Sequence, residues 1–563
     1  MKIFLTTVCF VLLLFPAKAQ LTTQQNNYTR ADTLRGSVTP EREWWDLLHY
    51  DLHVRFNYLD STISGYNTIR YQVKKEQHRM QIDLMQPLVI DSMRQNNTAT
   101  KYQRDGNAFF IELSSPQPAG TIHSITIFYH GRPQIAARPP WDGGVIWARD
   151  KKGRPWISIA CQGLGASVWF PCKDHQYDEP DSVSIHIAAS DSLKIVANGK
   201  LNGRPNQKIM GGISETTWVV RNPINNYNII PYIGHYVNQD ETFTGEKGAL
   251  QVSYWILDYN SAQAQTHLRK EVQRTLKNLE YWFGPYPFYE DGYKIVDAPH
   301  LGMEHQSAIA YGNGYQYGYL GHDLSQSGWG LKWDFIVVHE SAHEWFGNSI
   351  TTKDLADMWV HESFANYAET LFTTSEYGIE AGNDYVIGTR KNISNDIPII
   401  GKYNVNDEGS GDMYYKGGNM IHMIRQIINN DEKFRQILRG LNHDFYHRTV
   451  TTAEIENYIS TKSGINFSKV FDQYLRTTKI PVLNYTVGKD HRKTFLVYFW
   501  ANCAEGFDMP VKISVTAGKS IWITPHTKIQ KLKLKRAALP NKIVDRNFYV
   551  EEENMSPPVI RKN

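Results

Sequence analysis

His339-Glu340-Ser341-Ala342-His343, followed after eighteen residues by Glu362, is the stretch on which the reading of this chain turns. His339 and His343 are four apart, so on a helix one imidazole lies above the other on nearly one face, within reach of a single ion. Glu340 falls beside that face. Two histidines and a carboxylate make three protein ligands, and tetrahedral Zn²⁺ held by three side chains keeps its fourth position for water; a structural site is closed by a fourth side chain instead. The expectation is a hydrolytic zinc centre with one ion per chain and His339, His343 and Glu362 as ligands. The bland alternative is two buried histidines satisfied by hydrogen bonds beside a surface glutamate.

His-Glu-x-x-His alone is a weak signal, and its surroundings strengthen it. Phe335, Val338, Ala342 and Phe346 recur at helical spacing, with the two histidines at the edge of the stripe and Gly347-Asn348 as a stop, which predicts a helix over 331–346. A second helix over 354–373 carries Glu362. Glu369, seven residues further on, returns to the same face two turns along, where it can orient a ligand histidine from behind.

The chain has 563 residues with 41% apolar content, enough for several cores, and the length suggests about three or four domains. A net charge of +3 with interleaved signs gives no reason to expect a nucleic-acid partner. Residues 1–19 combine Lys2, an apolar stretch over 3–15 and Ala17-Lys18-Ala19 before Gln20, the pattern of a secretory signal, so the protein is expected to be exported to a periplasm or the extracellular space. As a membrane anchor the stretch is short of the roughly twenty apolar residues a span needs, and no other segment approaches one, so no transmembrane anchor is expected. Once Cys9 has left with the signal, Cys161, Cys172 and Cys503 remain. An odd number excludes a complete disulfide framework; a single Cys161–Cys172 bridge is open, with buried thiols the preferred reading.

Alternation and turn residues predict strands over 49–56, 62–73, 81–90, 124–129 and 182–189, then helices over 262–283, 331–346, 354–373, 417–428 and 431–441. Strands return over 483–487, 494–500, 511–515, 529–534 and 547–550, and 551–563 reads as a disordered tail. The fold class is therefore multidomain α+β: a signal at 1–19, a β-rich domain over 20–226, an α/β zinc domain over 227–480 and a small β-sandwich over 481–563. The tyrosine-rich run from Tyr311 to Tyr319 reads as a loop packed on its domain, with a cleft lining or sugar platform as alternatives. His300, His305 and His361 are read as cleft-wall histidines, since the metal's protein positions are already filled.

Four stretches stand in a telling order: Gly302-Met303-Glu304-His305; the metal helix ending in Trp345-Phe346-Gly347-Asn348; 359–365 around Glu362; and Tyr414-Tyr415-Lys416-Gly417. With Gln162, nine residues before Pro171 in Trp169-Phe170-Pro171-Cys172-Lys173-Asp174, they give the chain from about residue 40 onward a resemblance to the gluzincin aminopeptidases, the family of aminopeptidase N and leukotriene hydrolase-aminopeptidase. The resemblance implies a thermolysin-like catalytic domain and peptide substrates with a free N-terminus; a helical C-terminal domain found in many relatives is not apparent. It also implies that Glu340 is the general base and that Tyr414, rather than Tyr415, stabilises the oxyanion. Glu304 and Gln162 match the positions that hold the substrate ammonium, and Gly302 and Met303 lie in the same substrate-binding loop. The segment 304–311 is expected to be an edge strand that pairs with the peptide.

Three departures from the family pattern touch substrate preference and leave the ligands and base intact. Leu301-Gly302-Met303-Glu304-His305 replaces Gly-Ala-Met-Glu-Asn, His361-Glu362-Ser363 replaces Asn-Glu-Gly, and the run from Asp174 to Pro180 is lengthened. A thermolysin-like endopeptidase with the same ligands and a catalytically silent peptide-binding scaffold are the competing readings. The oligomeric state is not legible.

Overall fold

The computed structural model describes residues 27–490, 493–516, 518–534 and 539–555; the signal segment 1–19 lies outside them. The first half is β-rich. An eight-stranded sheet is centred on Trp45–Asn57, which runs antiparallel to Thr62–Val73 and parallel to Ser182–Ser190. Trp45, Leu47, Tyr50, Leu52, Val54 and Phe56 are buried while His49, Asp51 and His53 are half-exposed, the two-residue period of a sheet with one wet face. A bulge between Leu47 and His49 shifts the register by one, which puts Tyr50 on the buried side.

The expected strand over 81–90 is in fact two, Gln77–Asp83 and Val89–Gln95, in different sheets. Pro87, in the turn between them, has no N–H to give a ladder and stops the run.

A five-stranded sheet joins the two halves of the molecule, in the order Tyr236–Gly245, Gly248–Leu257, Tyr293–Asp297, Ile309–Tyr311, Gly302–Met303. Its inner strands Tyr293–Asp297 and Ile309–Tyr311 are buried on both faces. Ile295, Ile309 and Tyr311 join the core of the helical half, whereas Val296, Ala310 and Met303 join that of the β-rich half. Alternation along the strand thus wedges this sheet between two cores and carries the 302–304 loop to their junction. The edge strand is Gly302–Met303, not 304–311: Ile309–Tyr311 is paired on both sides, and the chain turns through Ser307 at φ 55°.

The helix expected over 331–346 is shorter, Phe335–Ala342, because the Asp334 carboxylate caps it by accepting from the Val337 N–H. Its partner helix is Trp359–Tyr377. Phe346 and Phe364 stack at 4.2 Å with 5° between planes and tie the two elements together. The helices Ile379–Gly388, Thr452–Ser463 and Ser468–Arg476 were not anticipated, although Thr451 and Glu454 form a capping box legible in sequence.

At the C-terminal end, Val482–Asp490, Lys493–Ala501 and Gln530–Leu534 share a sheet, and Val511–Thr516 pairs with Lys519–Ile523. The strand expected over 547–550 begins later, as Glu551–Asn554 parallel to Val482–Asp490. Those residues are therefore not a disordered tail: main-chain pairing holds a charged edge strand that has no apolar alternation to announce it, and the Glu552 carboxylate accepts from the Ile543 and Val544 N–H groups. Residues 556–563 lie outside the described residues. Leu483, Trp500 and Phe548 belong to the same buried cluster as the helical half. Among the described residues no helix is long and apolar enough to cross a membrane.

Candidate active site

His339 lies one turn before the end of Phe335–Ala342 and His343 caps it, while Glu362 opens the facing helix. The Nε2 atoms of His339 and His343 are 3.3 Å apart, and Glu362 Oε2 lies 3.6 Å from the first and 3.4 Å from the second. A tetrahedral ion with bonds of about 2.0–2.1 Å spaces its ligand atoms by about 3.3–3.4 Å, so these three atoms outline one face of such a tetrahedron. Glu362 Oε2 is buried without a hydrogen-bond partner. The donor set therefore fits Zn²⁺.

Both imidazoles are aimed from behind. His339 Nδ1 donates to Glu369 Oε1 at 2.8 Å and His343 Nδ1 donates to the Phe346 carbonyl at 3.0 Å. Each acceptor can only accept, so the ring proton is held on Nδ1 and the bare Nε2 lone pair faces the triangle. Glu369 is itself fixed by Tyr385 Oη at 2.6 Å and Asn366 Nδ2 at 3.1 Å, and Phe335 stacks on the His339 ring. Loss of such a partner typically costs about 10–100-fold in metal affinity, so Glu369→Ala is expected to weaken zinc retention by that factor; competition with a coloured chelator measures it.

Glu340, Glu304 and His343 each offer an atom within 4.8 Å of the others. Burial pushes the Glu340 carboxyl up to about 7, with His339 opposing and the Glu304 charge adding to the shift. Gly302 explains itself here: a Cβ on it would stand 2.5 Å from Glu340 Oε1 and 3.0 Å from Ile336 Cδ1. Met303 turns away into the β-rich core.

Glu304 is buried, and its Oε1 accepts from Gln162 Nε2 and from Tyr227 Oη, both at 2.7 Å. Gln162 also reaches Glu362 Oε1 at 3.4 Å. Asn348 Nδ2 holds the Glu304 carbonyl at 2.8 Å, which gives the Trp-Phe-Gly-Asn stretch two tasks: Phe346 aims His343 and Asn348 aims the Glu304 loop.

Tyr414 sits between a short turn, Gly411–Met413, and the helix Tyr415–Ile428. Its ring lies over His339 at 6.0 Å and 25°, and its hydroxyl stands in the field of Glu362, Glu408, Glu304 and Glu340. The Tyr415 hydroxyl stands instead in the field of Glu369 and Tyr319. The register is set by close packing of two helices. Side chains on Gly417 and Gly418 would fall 1.9 Å from Ser363 Oγ and 2.3 Å from Asn366 Oδ1, and Ser363 Oγ donates to the Met413 carbonyl at 2.6 Å. The unusual serine after Glu362 thus anchors the turn that presents Tyr414.

The other departures are quieter. His361 Nε2 accepts from the Thr352 N–H at 2.9 Å, and His305 Nδ1 pairs with Tyr232 Oη at 2.5 Å. The tyrosine run packs on its domain, with Tyr311 Oη donating to Asp334 and Tyr315 Oη to Asp297. Cys161 and Cys172 are buried free thiols, so the bridge does not form; Cys161 Sγ donates to the Tyr227 carbonyl instead. Two residues of the site escaped sequence reasoning, Tyr227 and Glu408. Neither stands at a spacing that would have marked it.

Residues 271–474, which contain the metal triangle and Tyr414, match the peptidase family M1 domain. Aminopeptidase N of Lactococcus lactis subsp. lactis is 29% identical over 226 residues, covering 36% of this chain and 26% of that protein. Aminopeptidase N of Lactobacillus helveticus is 27% identical over 233 residues with the same coverage of each. The alignments thus span about a quarter of these relatives. Among solved structures, a variant M1 zinc metallopeptidase from Deinococcus radiodurans superposes with a TM-score of 0.65 at 20% identity, covering 78% of this chain and 97% of that one. The same variant bound to a Tyr-Ser-Ala substrate gives 0.65 at 21%, covering 78% and 96%. The shared fold, the domain match over 271–474 and the aminopeptidase N sequences agree with one another, and together they support a likeness to the gluzincin aminopeptidases of peptidase family M1.

Proposed function

We propose that this protein is a zinc aminopeptidase that hydrolyses the first peptide bond of substrates with a free N-terminus. The observation that carries this reading is the pairing of two features at one point: a His-His-Glu triangle of tetrahedral dimensions and, within 4.8 Å of His343, the buried carboxylates of Glu340 and Glu304. His339, His343 and Glu362 would hold one Zn²⁺, which when bound polarises a scissile carbonyl and lowers the pKa of water to about 7.

Glu340, buried beside His343, takes a proton from the attacking water and returns it to the departing amine. Tyr414 donates its hydroxyl proton as a hydrogen bond to the oxygen on which charge develops. Glu304 accepts the substrate ammonium with Gln162 and Tyr227 holding it in place, because a desolvated cation needs a fixed anionic partner. The edge strand Gly302–Met303 offers its main chain to an extended peptide, a contact that tolerates many side chains.

The catalytic unit in this reading is 227–480, with 20–226 supplying Gln162 and 481–563 forming a β-sandwich. The pattern at 1–19 supports export, and the substrates would then be peptides in a periplasm or outside the cell.

Tyr414→Phe is expected to lower kcat about a hundredfold or more with a small change in KM, since the hydroxyl acts chiefly on the transition state. Tyr415→Phe should change neither. Equal or exchanged effects in steady-state kinetics would move the oxyanion donor elsewhere. The reading as a whole rests on one comparison, the cleavage of a peptide and its N-acetylated twin by the zinc-loaded wild type. Equal cleavage of both makes the protein an endopeptidase.

A further inference from the structure

The wet face of the eight-stranded sheet carries a second cluster of side chains suited to a metal, on two strands that take no part in the catalytic triangle. His53 and His186 are direct partners in the parallel ladder between Trp45–Asn57 and Ser182–Ser190, and Asp51, two residues before His53, projects from the same face. The two imidazoles lie 3.9 Å apart with 2° between planes, and Asp51 Oδ1 stands 3.2 Å from the Nε2 of each. One ligand atom from each of the three side chains lies within 4.8 Å of the other two. The side chains of His186, His53 and Asp51 are 22%, 26% and 42% exposed, so a dissolved ion can reach them.

Neighbouring strands brace the cluster from both sides. Tyr66, the ladder partner of His53 on Thr62–Val73, stacks on the other face of that ring at 4.4 Å and 18°. Thr217, the partner of His186 on Ile213–Val220, puts its Oγ1 3.0 Å from His186 Nδ1. A hydroxyl that accepts the Nδ1 proton leaves the Nε2 lone pair turned toward Asp51. Glu215 Oε1, 4.0 Å from the same Nδ1, adds a second negative charge beside the rings. Hydrogen bonds from His186 and His53 hold the Asp51 carboxyl well below the usual carboxylate range, so it is ionised.

We propose that Asp51, His53 and His186 form a second metal site, for a first-row divalent ion of the Zn²⁺ or Cu²⁺ type, outside the catalytic centre. Two imidazoles and one carboxylate match these ions, whereas Mg²⁺ and Ca²⁺ take oxygen ligands. The 3.2 Å edges are close to the ligand spacing around a four-coordinate ion with bonds of about 2.0–2.1 Å. Parallel rings do not aim at one point, so the imidazoles turn about their Cβ–Cγ bonds to close on the ion. Half-exposed side chains have room for that turn. Bound there, the ion clasps the central strand of the sheet to one that joins it much later in the chain.

The test uses the full-length zinc-loaded protein. It is titrated with further Zn²⁺ by calorimetry beside His53→Gln, His186→Gln and Asp51→Asn, and thermal unfolding is followed with and without the added ion. Wild type is expected to bind a second equivalent and to unfold at a higher Tm in its presence, since an ion held by the folded chain alone stabilises it. Either histidine substitution should abolish both the second equivalent and the Tm shift, and Asp51→Asn should weaken both. All four proteins should keep the first equivalent and the same circular dichroism.

Saturation of wild type at one equivalent overturns the site, and the cluster is then a hydrogen-bonded His-Asp-His group. A second equivalent that persists in both histidine variants overturns it as well, because the ion then sits elsewhere. Should the variants fail to fold, Cu²⁺ is added to zinc-loaded wild type and read by electron paramagnetic resonance while zinc content is monitored. Two nitrogen ligands with the first zinc retained support the site; one nitrogen or none overturns it.

Discussion

Glu340→Gln is expected to retain the fold and the zinc of the wild-type protein while kcat/KM falls by about 10²–10⁴-fold, the usual worth of a positioned proton acceptor. The substitution leaves His339, His343 and Glu362, with edges of 3.3, 3.4 and 3.6 Å, untouched, and an amide has nearly the shape of the carboxylate it replaces. What it removes is the capacity to receive a proton. His339→Ala and Glu362→Ala should fail differently, losing the ion together with the activity, because two remaining ligands do not make a site. Elemental analysis of each purified variant beside its rate separates the two modes. Near-normal turnover by zinc-loaded Glu340→Gln would transfer the role of base to another group.

Glu304→Ala is expected to lower kcat/KM for a free-amino peptide by about thirtyfold to several thousandfold, the range that follows from losing about 2–5 kcal/mol when one partner of a desolvated charged pair is removed. Zinc content should not change, since Glu304 lies outside the metal triangle. Its carboxylate already accepts from Gln162 and Tyr227, so the alternative in which Glu304 merely holds its loop has a distinct signature. In that case Glu304→Gln, which keeps the size and one acceptor oxygen, would be nearly neutral. Rates for a free and an N-acetylated version of one peptide, in wild type and both variants, decide between them: ammonium recognition requires wild type to favour the free peptide strongly and Glu304→Ala to erase that preference.

How much of the site could be read beforehand depends on how far apart its parts lie along the chain. His339, His343 and Glu369 were legible because a helix turns fixed spacings into fixed faces, and four or seven residues bring side chains into line whatever surrounds them. The strands Thr62–Val73 and Ser182–Ser190 were legible for the same kind of reason, a two-residue period with one buried face. Where no period existed the reading went astray. Glu551–Asn554, read as part of a disordered tail, carries charges on both faces and is a strand through main-chain pairing, whereas Cys161 and Cys172 are the buried free thiols preferred over a bridge.

The sequence alone determined that two histidines and a glutamate stand on two neighbouring helices with Glu340 beside them, because that geometry is local and repeats with the helix. Tertiary structure alone decided what faces the triangle. Gln162 and Tyr227 come from the β-rich half and meet Glu304 because the five-stranded sheet is wedged between two cores, and Tyr414 takes its orientation from the contact of Gly417 and Gly418 with Ser363 and Asn366. Glu408 meets the Gln162-Gly163 turn where the segment 28–36 binds a loop almost four hundred residues away in the chain. None of these juxtapositions has a spacing to betray it, since the packing of distant segments is set by shape and burial over the whole molecule rather than by any local period.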